Sequence, residues 1–160
     1  MVWKVTGLAA DHTQDVQVSV MDHVKANWAL TAPLTAALIQ FDTGWYDRQW
    51  QFQIHFRHDY FPGESTKTIG KNYIHKYDDF VNIHVFVEMQ QDNTEPTELG
   101  KIHREIERII GTDVTALQST QGFSFMKFIQ PMHNLPIDTN EETHFHGFGT
   151  IMLRYHKVNV

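Results

Sequence analysis

Hydrophobic positions change their period several times along the chain, and each change marks an element. Val16, Val20, Val24 and Trp28 recur at i+4 with Met21 beside them, behind Thr13 or Asp15 as caps and ahead of Pro33. That spacing predicts a first helix over about 15–28. The stretch Val16-Gln-Val-Ser-Val20 also alternates and is β-branched, so a strand competes there. Residues 36–41 form a short apolar run that reads as a buried strand, and Asp42 and Gly44 supply turn chemistry after it. Trp50, Phe52, Ile54 and Phe56 then alternate with Gln51, Gln53, His55 and Arg57, a strand with one apolar and one wet face. Ile83, Val85, Val87 and Met89 alternate with His84, Phe86 and Glu88, which predicts a central strand over 81–89 whose second face is only partly covered.

The 3.6-residue period is clearest at 97–110, where Leu99, Ile102, Ile106, Ile109 and Ile110 oppose Lys101, Arg104, Glu105, Glu107 and Arg108. Pro96 suits the first turn of that helix, and Gly111 is placed as its C′ residue. Residues 114–117 read as a short strand, 123–129 as a further strand, and 147–155 as the last, with Ile151, Leu153 and Tyr155 on one side. The chain is therefore expected to be α+β, one domain over 1–160: a mixed or mainly antiparallel sheet of about five strands with two helices packed on it. Between His58 and Asp79 the pattern is lost. A connection of that length is uncommon in a compact domain, and it reads as a long protruding arm over about 58–79, or as a hairpin extension.

Composition narrows the class. A length of 160 residues suits a single core, and with no cysteine neither disulfides nor thiolate metal sites hold it together. The net charge of −6 is spread along the chain, which argues against a dedicated nucleic-acid-binding surface. Met1-Val-Trp-Lys-Val-Thr-Gly7 lacks a signal-peptide pattern, and no apolar run is long enough to cross a bilayer, so a soluble, unprocessed chain with no membrane partner is expected.

Eleven histidines invite a metal reading. His144-Phe-His146 has the spacing that sets two imidazoles on one face of a strand, with His84 as a further member, but a usable site needs more ligands and second-shell acceptors. A surface imidazole pair flanking Phe145 is the competing reading. His84 and Glu88 lie too far apart along one strand for an acid/base dyad, and G-x-S-x-G, G-x-G-x-x-G, P-loop and H-E-x-x-H motifs are all missing. No enzyme and no cofactor is expected. The unusual quantity is aromatic content, eleven Phe, five Tyr and four Trp, more than one helix face covers. Two helices covering both sheet faces would absorb them. Otherwise Trp45, Tyr46, Tyr60, Tyr73, Tyr77 and Phe86 are candidate subunit-interface residues.

The strand Val81-Asn-Ile-His-Val-Phe-Val-Glu88, the helix His103-Arg-Glu-Ile-Glu-Arg-Ile-Ile-Gly111 and the closing His146-Gly-Phe-Gly-Thr-Ile-Met-Leu-Arg-Tyr155 resemble the tail-terminator or tail-completion proteins of tailed phages and related archaeal viruses. The N-terminal helix with a downstream strand pair matches as well. The resemblance implies a non-enzymatic virion protein, assembled in the host cytoplasm, whose subunits form a ring, typically sixfold. That ring caps the finished tail tube and joins it to the head-side connector or neck. Its partners would be further copies of the chain, the major tail tube protein, the connector and genomic DNA in the channel, which Lys67, Lys71 and Lys76 would meet if the arm lines it. The 58–79 segment departs from the shorter connection the family has. The competing classes are a small His-dependent metal-binding enzyme built around His144, His146 and His84, and a monomeric binding module.

Overall fold

A computed structural model describes residues 3–6, 16–44, 47, 49–58, 67–69, 74–89, 97–112, 125–136 and 143–159. In chain order these carry β1 (Trp3–Thr6), α1 (Val16–Ala26), β2 (Gln40–Asp42), β3 (Phe52–Arg57), β4 (Lys67–Ile69), β5 (Ile74–Glu88), α2 (Thr97–Thr112), β6 (Phe125–Asn134) and β7 (His144–Asn159). The fold is α+β, with two helices on one mixed sheet.

Two long strands, β5 and β7, form the spine and pair antiparallel from Ile74↔Val158 to Glu88↔His144. On the far side of β5, β3 pairs with its 82–87 half and β4 with its 74–76 end. On the far side of β7, β6 and β1 take successive stretches in the same way. β2 lies outside β3 and is the parallel member. The sheet is thus five ranks wide, with β2 at one edge and β6 with β1 at the other.

The ladder register puts Phe52, Ile54 and Phe56 beside Val87, Val85 and Ile83, and these beside Phe145, Gly147 and Gly149. Both helices cover this one face. α1 brings Val20 and Val24, and α2 brings Leu99, Ile102, Ile106, Ile109 and Ile110, all buried in a single cluster with Ile151 and Leu153. Each such aliphatic removed from water contributes about 1.5–3 kcal/mol, so α2 is held by its apolar stripe far more than by helix propensity. Glu105 ties α2 to the segment that follows α1. It is buried and accepts from the Ala29 N–H at 2.8 Å and from Arg108 Nη2 at 2.6 Å, while Arg108 Nη2 also donates to the Asn27 carbonyl.

Close packing explains Gly147. A Cβ there would overlap the His103 imidazole, which α2 packs directly against the β7 backbone at this point.

Several expectations shift. Gly111 lies inside α2, not beyond it, since its backbone does not enter the left-handed region and the helix runs on to Thr112. The strand expected at 36–41 shrinks to Gln40–Asp42 behind a series of turns. β5 begins at Ile74, seven residues before the alternation does, because β7 supplies hydrogen-bond partners whatever the side chains are. Of the 58–79 segment expected as an arm, residues 74–79 belong to β5 and pair with β7, and Lys67–Ile69 pairs antiparallel with Ile74–Lys76, a hairpin arrangement; residues 59–66 and 70–73, and the strand expected at 114–117, lie outside the described residues.

Candidate functional site

Asp42 closes β2 with its own carboxylate, Oδ1 accepting from the Thr43 N–H at 2.6 Å and the Gly44 N–H at 3.1 Å. The chain then returns to β3 through a turn held from beneath by Gln53. This glutamine is fully buried. Its Oε1 accepts from the Asp47 N–H at 2.9 Å, and its Nε2 donates to the carbonyls of Asp47 and Trp50. His55, 2% exposed, sets its Nε2 2.9 Å from Gln53 Oε1 and its Nδ1 3.1 Å from the Gly44 carbonyl.

From β7, His144 Nε2 donates to the Trp50 carbonyl at 2.9 Å, since a carbonyl only accepts, and Nδ1 lies 2.8 Å from the Thr143 hydroxyl. The Gln51 carbonyl accepts from the Glu88 N–H at 2.8 Å. The backbone at 50–51 is therefore fixed by groups from three strands, while the Trp50 side chain remains 45% exposed. Leu38, in the turns that precede β2, is likewise 53% exposed.

On the sheet face away from the helices, six rings form a row across four strands. His55 meets Phe86 edge-on at 5.7 Å, Phe86 stacks on His146 at 4.3 Å, His84 meets Phe148 edge-on at 5.0 Å, and Phe148 meets His133 edge-on at 5.8 Å. The two halves join through His84 Nδ1 and His146 Nε2, 3.0 Å apart. Their centroids are 5.2 Å apart with planes 24° from parallel, a separation close to the N···N distance plus two ring radii. The rings thus meet edge to edge in an N–H···N hydrogen bond, one donating and the other accepting. Their nitrogens point at each other and do not converge on a third point, as metal ligands would.

Burial governs the electrostatics. It pushes His146 down to about 4, with His84 and then His55 adding to the effect. It also lowers His55, helped by Arg57 and opposed by Asp42 and the Gly44 carbonyl. On the helix side burial brings His103 down to about 4, with a smaller contribution from His133.

The placement of the expected residues follows. His144 and His146 share a face of β7 as their spacing predicts, yet their nitrogens are engaged in different directions. Among the described residues no group of three or more His, Cys, Asp or Glu is placed to hold a metal ion. Phe86 is half-buried in the ring row. Tyr77 lies on β5 opposite Tyr155, and Lys67 on β4 opposite Lys76. Trp45, Tyr46, Tyr60, Tyr73 and Lys71 lie outside the described residues.

Two readings are corrected. The wet face expected for β3 is buried at Gln53 and His55, because their polar groups bond to the backbone of Gly44, Asp47 and Trp50. Trp50, expected in phase with Phe52 on the core face, precedes β3 and is exposed, because the turn at 49–51 breaks the strand's alternation. The one sequence signal for this was the density of Asp, Gln and Gly around it. Compared with known proteins, the chain matches no protein-family model and no curated sequence.

Proposed function

We propose that this chain is a structural, non-enzymatic virion subunit of the tail-terminator type, forming a ring that caps the tail tube and meets the head-side connector. The observation that carries the reading is Trp50, a large aromatic left 45% exposed on a backbone held by Gln53, His144 and Glu88. An aromatic presented on a fixed backbone loses little entropy on docking, and tryptophan is among the residues that most often anchor protein interfaces. Further support comes from the use of the other polar groups. The imidazoles and amides on the sheet face away from the helices bond to backbone or to each other, as in a scaffold. Ring order six, the tube and connector partners, and a DNA-channel role for Lys67, Lys71 and Lys76 come to the proposal from the resemblance.

The test is light scattering and negative-stain electron microscopy of the purified full chain, alone and with polymerised tail tubes from the virus that encodes it. Rings in solution or caps at tube ends are the expected result. A chain that stays monomeric and does not sediment with tubes overturns the reading.

A further inference from the structure

His55 is a buried titratable group whose hydrogen bonds do not fit its neutral form. Its Nδ1 lies 3.1 Å from the Gly44 carbonyl and its Nε2 2.9 Å from Gln53 Oε1, with the residue 2% exposed. A carbonyl accepts and never donates, so Nδ1 needs a proton to bond there. Turning the ring over would put carbons at both contacts. The other side depends on which end of the Gln53 amide faces the ring, and three backbone groups fix that: the Asp47 N–H donates to one end, while the carbonyls of Asp47 and Trp50 accept from the other. Reversing the amide would set donor on donor once and acceptor on acceptor twice. The atom facing Nε2 is therefore an oxygen, and Nε2 needs a proton as well.

A neutral imidazole has one N–H, so at one of the two contacts it sets a nitrogen lone pair against an oxygen in a site closed to water. An imidazolium donates to both, and hydrogen bonds from a charged donor are roughly twice as strong as neutral ones. The surroundings are divided. Burial and Arg57 on β3 oppose the cation, while Asp42 on β2 and the Gly44 carbonyl favour it. Asp47, whose Oδ1 accepts from the Gln49 N–H, brings a second carboxylate to the neighbouring turn. His84 stands opposite His55 in the β3–β5 ladder, and His146 on β7 lies near enough to be pushed down by it; the N–H···N bond between these two needs only neutral rings. Gln53 Oε1 adds a second acceptor on the side of the cation, and with Nδ1 held by Gly44 only the charged ring can use it.

We infer that His55 is an imidazolium in the folded protein and works as a proton-operated clamp on the backbone at Gly44 and, through Gln53, at Asp47 and Trp50. One proton taken up lets the ring hold both partners, and its loss as pH rises releases one of them. Because Gln53 bonds to the Trp50 carbonyl, the clamp sets how firmly the exposed Trp50 side chain is presented, whatever that side chain meets. The sign is opposite to that of His103, which burial keeps neutral. Here the hold is firmest on the acid side and is lost as pH rises through the His55 midpoint.

The test is an NMR titration of the ring nitrogens in the full chain with isotope-labelled histidine, His55 being assigned by its loss in His55→Gln or by its contact with Phe86. Both His55 nitrogens should carry protons at about pH 6, with a midpoint above the ordinary value of about 6.5. Amide exchange at Asp47, corrected for its intrinsic pH dependence, should be at least about tenfold slower below that midpoint than above it. His55→Gln, which does not titrate, should remove the difference. Asp42→Asn keeps an oxygen for the Thr43 and Gly44 N–H groups and should move the midpoint to lower pH, with Asp47 still protected in acid. A His55 ring with a single proton at about pH 6, or Asp47 exchange that ignores the His55 titration, overturns the inference. Both readings come from the unsubstituted chain, so they stand even if His55→Gln does not fold.

Discussion

Acid should weaken this fold through His103, and the size of the effect follows from its position. The imidazole is 7% exposed, pressed between α2 and the Gly147 backbone, and its Nε2 has no hydrogen-bond partner among the described residues. Burial brings its pKa from 6.5 to about 4. The unfolded chain therefore binds a proton that the folded chain refuses between those two values, and stability rises with pH across that window. The contribution is complete above about pH 6.5, falls as pH drops, and is gone below about pH 4. A shift of about 2.5 units at 1.36 kcal/mol each corresponds to about 3 kcal/mol, a large fraction of a typical domain's stability. The assay is urea unfolding followed by tryptophan fluorescence at pH 7.5, 6.5, 5.5 and 4.5, on the wild type and on His103→Gln, which is of similar length but does not titrate. The readout is the slope against pH, so any change in baseline stability from the substitution drops out. The wild type should lose about 2–3 kcal/mol more than the variant between pH 6.5 and 4.5. Parallel lines over that range would refute the reasoning.

Two glycines should respond oppositely to alanine. Gly147→Ala drives a methyl into the His103 ring and should cost about 1–3 kcal/mol in urea unfolding, partly recovered by adding His103→Ala. Gly111→Ala, in open space inside α2, should raise stability by about 0.5–1 kcal/mol; a loss would mean the helix ends earlier than described. Glu105→Ala removes the acceptor shared by Ala29 and Arg108 and should cost about 2 kcal/mol, with faster amide exchange at Ala29 by NMR. Arg108 holds the Glu105 carboxyl below its usual range, so this clamp should persist into mild acid where His103 has already begun to fail. Gln53→Ala frees the 47–50 turn and should raise its protease sensitivity well beyond that of the neighbouring strands; equal cleavage would show that Gln53 does not hold it.

The sequence by itself determined which segments could be helix or strand and which positions along them are apolar. Leu99, Ile102 and Ile106 had to share one helix face, and Ile83, Val85 and Val87 one strand face, because 3.6- and 2-residue periods are set by backbone geometry alone. The α+β class followed. Only the tertiary structure decided what each face meets. Period 2 separates Phe52 and Ile54 from Gln53 and His55 but does not say whether the polar side will be wet, and here the backbone groups of Gly44, Asp47 and Trp50 engage it. The row from His55 to His133 draws on four strands and exists only through the ladder registers that set Phe86 opposite His146 and His84 opposite Phe148. Register is a property of paired strands, so no single strand's sequence carries it. Trp50 shows the limit most clearly: its place in the alternation pointed inward, and a turn held by side chains from β3 and β7 pointed it out.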